Sequence, residues 1–173
     1  MPYRIRRARP EDAPRLADIE RAAGKAFAEV GEELGAAEVG EARWFLRAQR
    51  KGLLWLAVDG RDTPVAFALF ETSPESLHLE EIDVHPDHAR RGLGRRLIEA
   101  AADWARGVGH ARITLSTFRH VPWNAPYYAR LGFRELPPEQ WTPWLRVRVD
   151  HEARNGLDPG RRLVMVRDLV PTA

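Results

Sequence analysis

Ile82-Asp83-Val84-His85-Pro86-Asp87-His88-Ala89-Arg90-Arg91-Gly92-Leu93-Gly94-Arg95-Arg96-Leu97 is the stretch whose reading decides the fold. Apolar residues arriving at a Pro-containing turn read as the end of a strand. Beyond Gly92 the apolar residues Leu93, Leu97, Ile98, Ala101 and Trp104 recur at helical spacing, until Gly107 and Gly109 stop the helix. A strand that leads through a turn into a glycine-punctuated helix start presents free backbone N–H groups and the positive end of the helix dipole. Such an end suits a phosphate or pyrophosphate. Glycines let the anion approach, and Arg90, Arg91, Arg95 and Arg96 add charge-assisted hydrogen bonds to a dipole contribution of ~0.3–1 kcal/mol. The competing account is an ordinary helix with a solvated basic face. Two other phosphate loops fit worse: Gly92-Leu93-Gly94-Arg95-Arg96-Leu97 lacks the third glycine of the dinucleotide fingerprint, and no Gly-Lys-Ser/Thr follows as in a P-loop.

Working outward, Leu77 to Val84 forms the strand that feeds this turn. Before it, Leu53 to Val58 and Val65 to Phe70 are apolar strands joined as a hairpin by Asp59 to Pro64. Near the start, Tyr3-Arg4-Ile5-Arg6 alternates as a short strand, and Arg9 to Pro14 opens a helix carrying Leu16, Ile19, Ala22 and Ala23 on one face, with Gly24 as its interruption or end. A second helix runs from Glu41 to Lys51, after a stretch around Gly31, Gly35 and Gly40 that reads as mobile. After the central helix come a strand, Arg112 to Phe118, a short helix from Pro126 to Leu131 ending at Gly132, and another strand from Phe133. In the tail, Trp144 to Asn155 reads as helix and Arg162 to Arg167 as the last strand. No repeat, linker or low-complexity segment divides the chain, so 1–173 is expected to be one domain.

Composition closes several classes. There is no cysteine, which removes disulfide scaffolds, thiolate zinc sites and cysteine nucleophiles. Without an apolar run of ~18 residues, and with an amino terminus that lacks a secretory apolar stretch, the expectation is a cytoplasmic protein that neither spans a membrane nor is exported. The pI of 9.4 is no sign of nucleic acid by itself. Of 27 basic residues all but Lys25 and Lys51 are arginine, so a net charge of only +2 persists to high pH. Arg4, Arg6, Arg7 and Arg9 cluster, but no base-reading motif accompanies them, and a solvated edge strand is the preferred account over nucleic-acid binding. The six histidines lack a His-x-x-x-His pair with a helper Glu, so no metal is expected.

Ala89-Arg90-Arg91-Gly92-Leu93-Gly94 resembles the acetyl-CoA motif Gln/Arg-x-x-Gly-x-Gly/Ala of the GNAT acetyltransferase superfamily, with Ala89 where the family usually has Gln or Arg. A second family element, aromatic-Tyr-x-x-x-Gly-Phe, is matched by Tyr127-Tyr128-Ala129-Arg130-Leu131-Gly132-Phe133. Uncharacterised members sharing the Val121 to Pro126 stretch, Val-Pro-Trp-Asn-Ala-Pro, are the nearest likeness. The resemblance implies the GNAT fold: an α/β (α+β) domain with a mixed, mostly antiparallel sheet of about seven strands, splayed between the fourth and fifth, and helices on both faces. It also implies acetyl-CoA as donor, a primary amine of a small molecule or protein as acceptor, and dimerisation as a family-level expectation.

The same resemblance assigns roles. Backbone groups of Ile82 and Val84 would pair with the pantetheine arm as an added strand, and Ala89, Arg90, Arg91, Gly92, Leu93, Gly94 and Arg95 would hold the pyrophosphate. Asn124 would stand in for the family Asn commonly found seven residues before the Tyr, where this chain has Val121. Tyr128 would protonate the departing thiolate, with a buried core aromatic as the alternative reading and Tyr127 as the packing member of the pair. Glu81 would be the base, as in some aminoglycoside-modifying relatives. In a regular strand Glu80 points to the opposite face, and a bulge would swap them. Ser116 occupies another family base position, where it cannot serve at neutral pH without activation. Trp123 is a candidate substrate contact, and the Phe27 to Gly40 and Pro137 to Asn155 regions are the expected sources of acceptor specificity. With no cysteine, the amine would attack directly in a ternary complex. The alternative is a CoA-binding regulatory module that keeps the cradle without the chemistry.

Overall fold

The computed structural model describes residues 2–32 and 42–169 of the chain. Seven strands, β1 (Arg4–Arg7), β2 (Leu54–Val58), β3 (Pro64–Thr72), β4 (Ser76–Val84), β5 (Arg112–Phe118), β6 (Arg134–Glu135) and β7 (Arg162–Asp168), form one sheet in the order β1-β2-β3-β4-β5-β7-β6. Every pairing is antiparallel except β4 with β5. The β2–β3 hairpin and the strand feeding the glycine turn lie where periodicity put them.

Strand alternation sends the two faces of the sheet into separate cores. Leu77, Leu79, Trp55, Ala68, Ile113 and Met165 pack under α3 (Leu93–Gly107) and α4 (Ala125–Arg130). On the opposite face Leu54, Leu56, Val58 and Phe67 bury the apolar stripe of α1 (Ala13–Glu29) and α2 (Ala42–Arg50), and Val164 and Val166 receive Leu145 of α5 (Pro143–Arg154). Helices thus cover both faces.

α1 runs through Gly24 without a break. One interior glycine costs about 1 kcal/mol relative to alanine, and the full burial of Leu16 and Ile19 outweighs that. In α2 it is Phe45 and Ala48 that turn inward, while Trp44 is exposed. Glu41, Gly35 and Gly40 lie outside the described residues, and with them most of the stretch read as mobile.

β1 is an edge strand with Arg4 and, just beyond it, Arg9 exposed, while Arg6 and Arg7 are partly buried, and Arg4, Arg6 and Arg9 are paired. Arg4, Arg6 and Arg9 converge on Asp62 at 2.7–2.9 Å, and Arg6 also forks onto Asp12 at 2.8 and 3.0 Å. Arg7 lies 3.5 Å from the centre of the Trp55 ring. Asp62 in the loop after β2 and Asp12 at the start of α1 are the carboxylates that Arg4, Arg6 and Arg9 meet.

Candidate active site

β4 and β5 run together only from Ser76 to Leu79 against Arg112 to Leu115, and then part. The physical device is a bulge in β4. Leu69 of β3 faces Glu81 while the next residue, Phe70, faces Leu79, so Glu80 is an extra residue in the strand. After the splay the edge of β4 that would meet β5 has no strand partner. The His85 N–H donates to Val65 of β3. Alternation along the strand therefore turns the N–H and C=O groups of Ile82 and Val84 the other way, to the open edge.

The open edge leads to the first turn of α3. Arg90 and Gly92 both take left-handed backbone, with φ of 58° and 71°, which is what swings the chain from β4 into a helix whose Ncap is Gly92. No side chain caps this end. Gly94 is needed for a close approach: a Cβ there would lie 2.9 Å from the Tyr127 hydroxyl. Tyr127 of α4 is thus docked on the helix start and does more than pack. Arg90, Arg91 and Arg95 are exposed and, among the described residues, form no salt bridge. Arg96 instead donates to the Tyr3 carbonyl at 2.9 Å, and Leu93 is buried in the core.

On the α1 side of the splayed β4 lies a group of carboxyls. The bulge places Glu80 and Glu81 together against different partners. Glu80 meets Arg148 of α5, which also holds Glu71 at 3.3 Å. Glu81 shares a face with Asp83 and hydrogen-bonds both Asp83 and Glu20 of α1. Burial, with neighbouring negative charge, raises Glu81 well above the usual carboxylate range, and burial raises Asp83 and Glu80 to about 7 each.

Tyr128 closes the cleft from α4. Its side chain is 7% exposed, stacked edge-on against Tyr127 and Phe133, and its hydroxyl makes no hydrogen bond among the described residues. Burial pushes the phenol above its ordinary value, with Asp83 and Arg162 as charged neighbours. Asn124 is buried at the start of α4 and its carbonyl oxygen accepts the Thr117 hydroxyl at 2.6 Å. Trp123 is 40% exposed and meets Phe27 of α1 edge-on at 5.7 Å. Ser116 donates to Glu152 of α5 at 2.8 Å, and Arg162 lies 3.4 Å from the same carboxylate.

Asp83, Glu20 and Glu152 were not singled out from the sequence. Asp83 carried a signal, since it stands two residues from Glu81 and so shares its face. Glu20 carried one too, as a charge inside the stripe Leu16, Ile19, Ala23. Glu152 had none, because only the docking of α5 brings it to Ser116. His78, by contrast, is a satisfied core residue, bonded to Thr114 at 2.8 Å and lowered by burial to about 3. Among the described residues no three His, Asp or Glu side chains are grouped to hold a metal ion, and no helix is long and apolar enough to cross a membrane.

Comparison with known proteins agrees with this geometry. Over 112 residues the chain is 29% identical to an uncharacterized N-acetyltransferase of Methanocaldococcus jannaschii, covering 61% of this chain and 48% of that protein. It is 32% identical over 91 residues to streptothricin acetyltransferase of Streptomyces lavendulae, covering 50% and 46%. The matched stretch is thus about half the length of these curated relatives. In fold, the ribosomal-protein-S18-alanine N-acetyltransferase of Escherichia coli superposes with a TM-score of 0.67 at 22% identity, covering 99% of this chain and 97% of the other. N-acetylglutamate synthase of Neisseria gonorrhoeae, complexed with coenzyme A and N-acetyl-glutamate, gives 0.75 at 19% identity over 98% of this chain and 35% of its own. Residues 16–133, which include the splayed strands, the glycine turn and the Tyr128 helix, match the acetyltransferase (GNAT) family, and the chain belongs to that family.

Proposed function

We propose that the protein is an acetyl-CoA-dependent N-acetyltransferase that moves the acetyl group to an amine by direct attack. The observation that carries this reading is the parting of β4 from β5 after Leu79, which opens a strand edge between an uncapped, glycine-started helix and the Tyr128 hydroxyl. Ile82 and Val84 offer backbone groups to the pantetheine arm. The amides of the first turn of α3, with Arg90, Arg91 and Arg95 around them, suit its pyrophosphate. Asn124 sits beside this path, with its oxygen already taken by Thr117.

An alkylamine of pKa ~10.4 must lose a proton at a cost of ~4.6 kcal/mol at pH 7 before it can attack. Glu81 is suited to take it, because a carboxyl raised by burial and neighbouring negative charge is a stronger base than an exposed one. Tyr128 supplies a proton to the departing thiolate. Its hydroxyl is not consumed by the fold, which supports a chemical role over a packing one.

The test is free-thiol release from acetyl-CoA across a panel of amines, with binding of acetyl-CoA measured alongside. Turnover that collapses in Tyr128→Phe and Glu81→Gln while binding persists supports the assignment. Tight binding with no turnover for any amine, unchanged by Glu81→Gln, identifies a CoA-binding regulatory module instead.

A further inference from the structure

Resting on that acetyltransferase reading, we infer that Glu81 and Asp83 form a carboxyl pair that seats the acceptor's ammonium group, restricting the acceptor to cationic amines with no carboxylate near the reacting nitrogen.

The pair is a product of the sheet register. Glu81 stands opposite Leu69 and Asp83 opposite Phe67, so both carboxyls rise on the face covered by α1, in the part of β4 that has left β5. They are hydrogen-bonded to each other, and Glu20 of α1 bonds Glu81 from above. Among the described residues no arginine or lysine makes an ion pair with either one. The two arginines near the cleft are engaged elsewhere, Arg148 by Glu71 and Glu80, and Arg162 by Glu152 and Ser116. Like charges in so confined a place cannot both ionise without a cation, so the pair keeps a proton. A second and independent sign is Tyr128, a side chain more than nine-tenths buried, whose unbonded hydroxyl has Asp83 as a charged neighbour.

An incoming ammonium supplies the missing positive charge. It then surrenders one proton to the pair, its nitrogen forms the C–N bond as the C–S bond breaks, Tyr128 gives its proton to the departing thiolate, and the second proton on the nitrogen returns to the Tyr128 phenolate. A carboxylate close to that nitrogen would instead be a third or fourth negative charge facing Glu20, Glu81 and Asp83.

The experiment uses the full chain with three acceptors of one carbon length, 1-aminobutane, 1,4-diaminobutane and 4-aminobutanoate, in the wild type and in Asp83→Asn. Like-charge juxtaposition is expected to hold kcat/KM for 4-aminobutanoate ~10-fold or more below that for 1-aminobutane, with the diamine at least as good as the monoamine. Asp83→Asn should shrink that gap several-fold and move the acid limb of the pH–rate profile to lower pH, because the neighbour that raised Glu81 is gone. A purely structural role for Asp83 would change neither. An unaltered preference and an unaltered acid limb overturn the inference.

If no amine is acetylated, the acetyltransferase reading fails on its own, and two readouts still decide the pair. Carboxyl carbon NMR of the CoA-loaded wild type should show, besides Glu80, a carboxyl titrating near neutrality that Asp83→Asn removes while Glu80→Gln leaves it, and calorimetry should show 1,4-diaminobutane binding with proton release. Ordinary titration of both carboxyls, or failure of the diamine to bind, overturns the inference.

Discussion

Replacing Gly94 by alanine separates the cradle from the fold. The new Cβ would lie 2.9 Å from the Tyr127 hydroxyl and 3.7 Å from Ile82 Cδ1. The phenol must therefore retreat by about half an ångström to reach ordinary contact. Such overpacking costs about 1 kcal/mol. Alanine returns a similar amount through helix propensity, about 0.8–1 kcal/mol, so stability should stay within ~1 kcal/mol of the wild type. Acetyl-CoA feels the change differently, because a displaced phenol and an added methyl crowd the amides that would meet the pyrophosphate. Loss of one charge-assisted hydrogen bond, about 1.5–3 kcal/mol, corresponds to roughly 10- to 100-fold in Kd. Isothermal titration with acetyl-CoA measures it, with thermal melting as the control. The double variant Gly94→Ala/Tyr127→Phe gives the methyl room and should recover affinity to the extent that the hydroxyl was the obstacle. Unchanged affinity in Gly94→Ala would refute the cradle.

Tyr128→Phe should lower kcat about 100-fold or more while acetyl-CoA still binds, and an unchanged kcat in stopped-flow thiol release would remove its role as donor. Glu152→Gln strands the nearly buried Arg162, which is 14% exposed, and should destabilise the protein by about 2–3 kcal/mol in urea titration, less than for a fully buried pair because water still reaches both groups. Asp83, raised to about 7 in the fold, stabilises it fully below the carboxyl's unfolded value near 4 and loses that contribution as pH rises toward 7. Glu20, Glu81 and Tyr128 are the titratable groups that bear on it, and they are common to wild type and variant. The wild type should therefore lose more Tm than Asp83→Asn between pH 5 and pH 8 by calorimetry, and equal losses would show that Asp83 does not titrate in that window. Asp12, held below the ordinary range mainly by hydrogen bonds from Arg6 that overcome its burial, acts in the opposite sense, its stabilisation fading only as pH falls below the usual carboxylate range.

Much of the architecture was legible because its signals are local. Val-rich and Leu-rich runs bounded by Asp59-Gly60 and Gly107 to Gly109 mark strands and turns wherever the chain goes, and β5 was read with its final bounds. Gly24 misled because propensity is weak against the burial of a helix face. The partners of the β1 arginines were hidden for a different reason. Asp12 and Asp62 are brought beside those arginines only by the edge pairing of β1 with β2.

At the site the division is similar. The spacing of Gly92, Gly94 and Tyr128 by itself determined the glycine-started helix proposed for the phosphates, the donor candidate and the family, because each depends on a residue type within one short segment. Only the tertiary structure decided which carboxyls stand together. Whether Glu81 shares the α1 side with Glu80 depends on one extra residue in the β4 ladder, and a ladder is a relation between two strands that neither strand contains. The same fold brings Asp83 and Glu20 to Glu81 and sets Glu152 behind Ser116. Charges separated by long stretches of chain acquire chemistry only when packing removes the water between them.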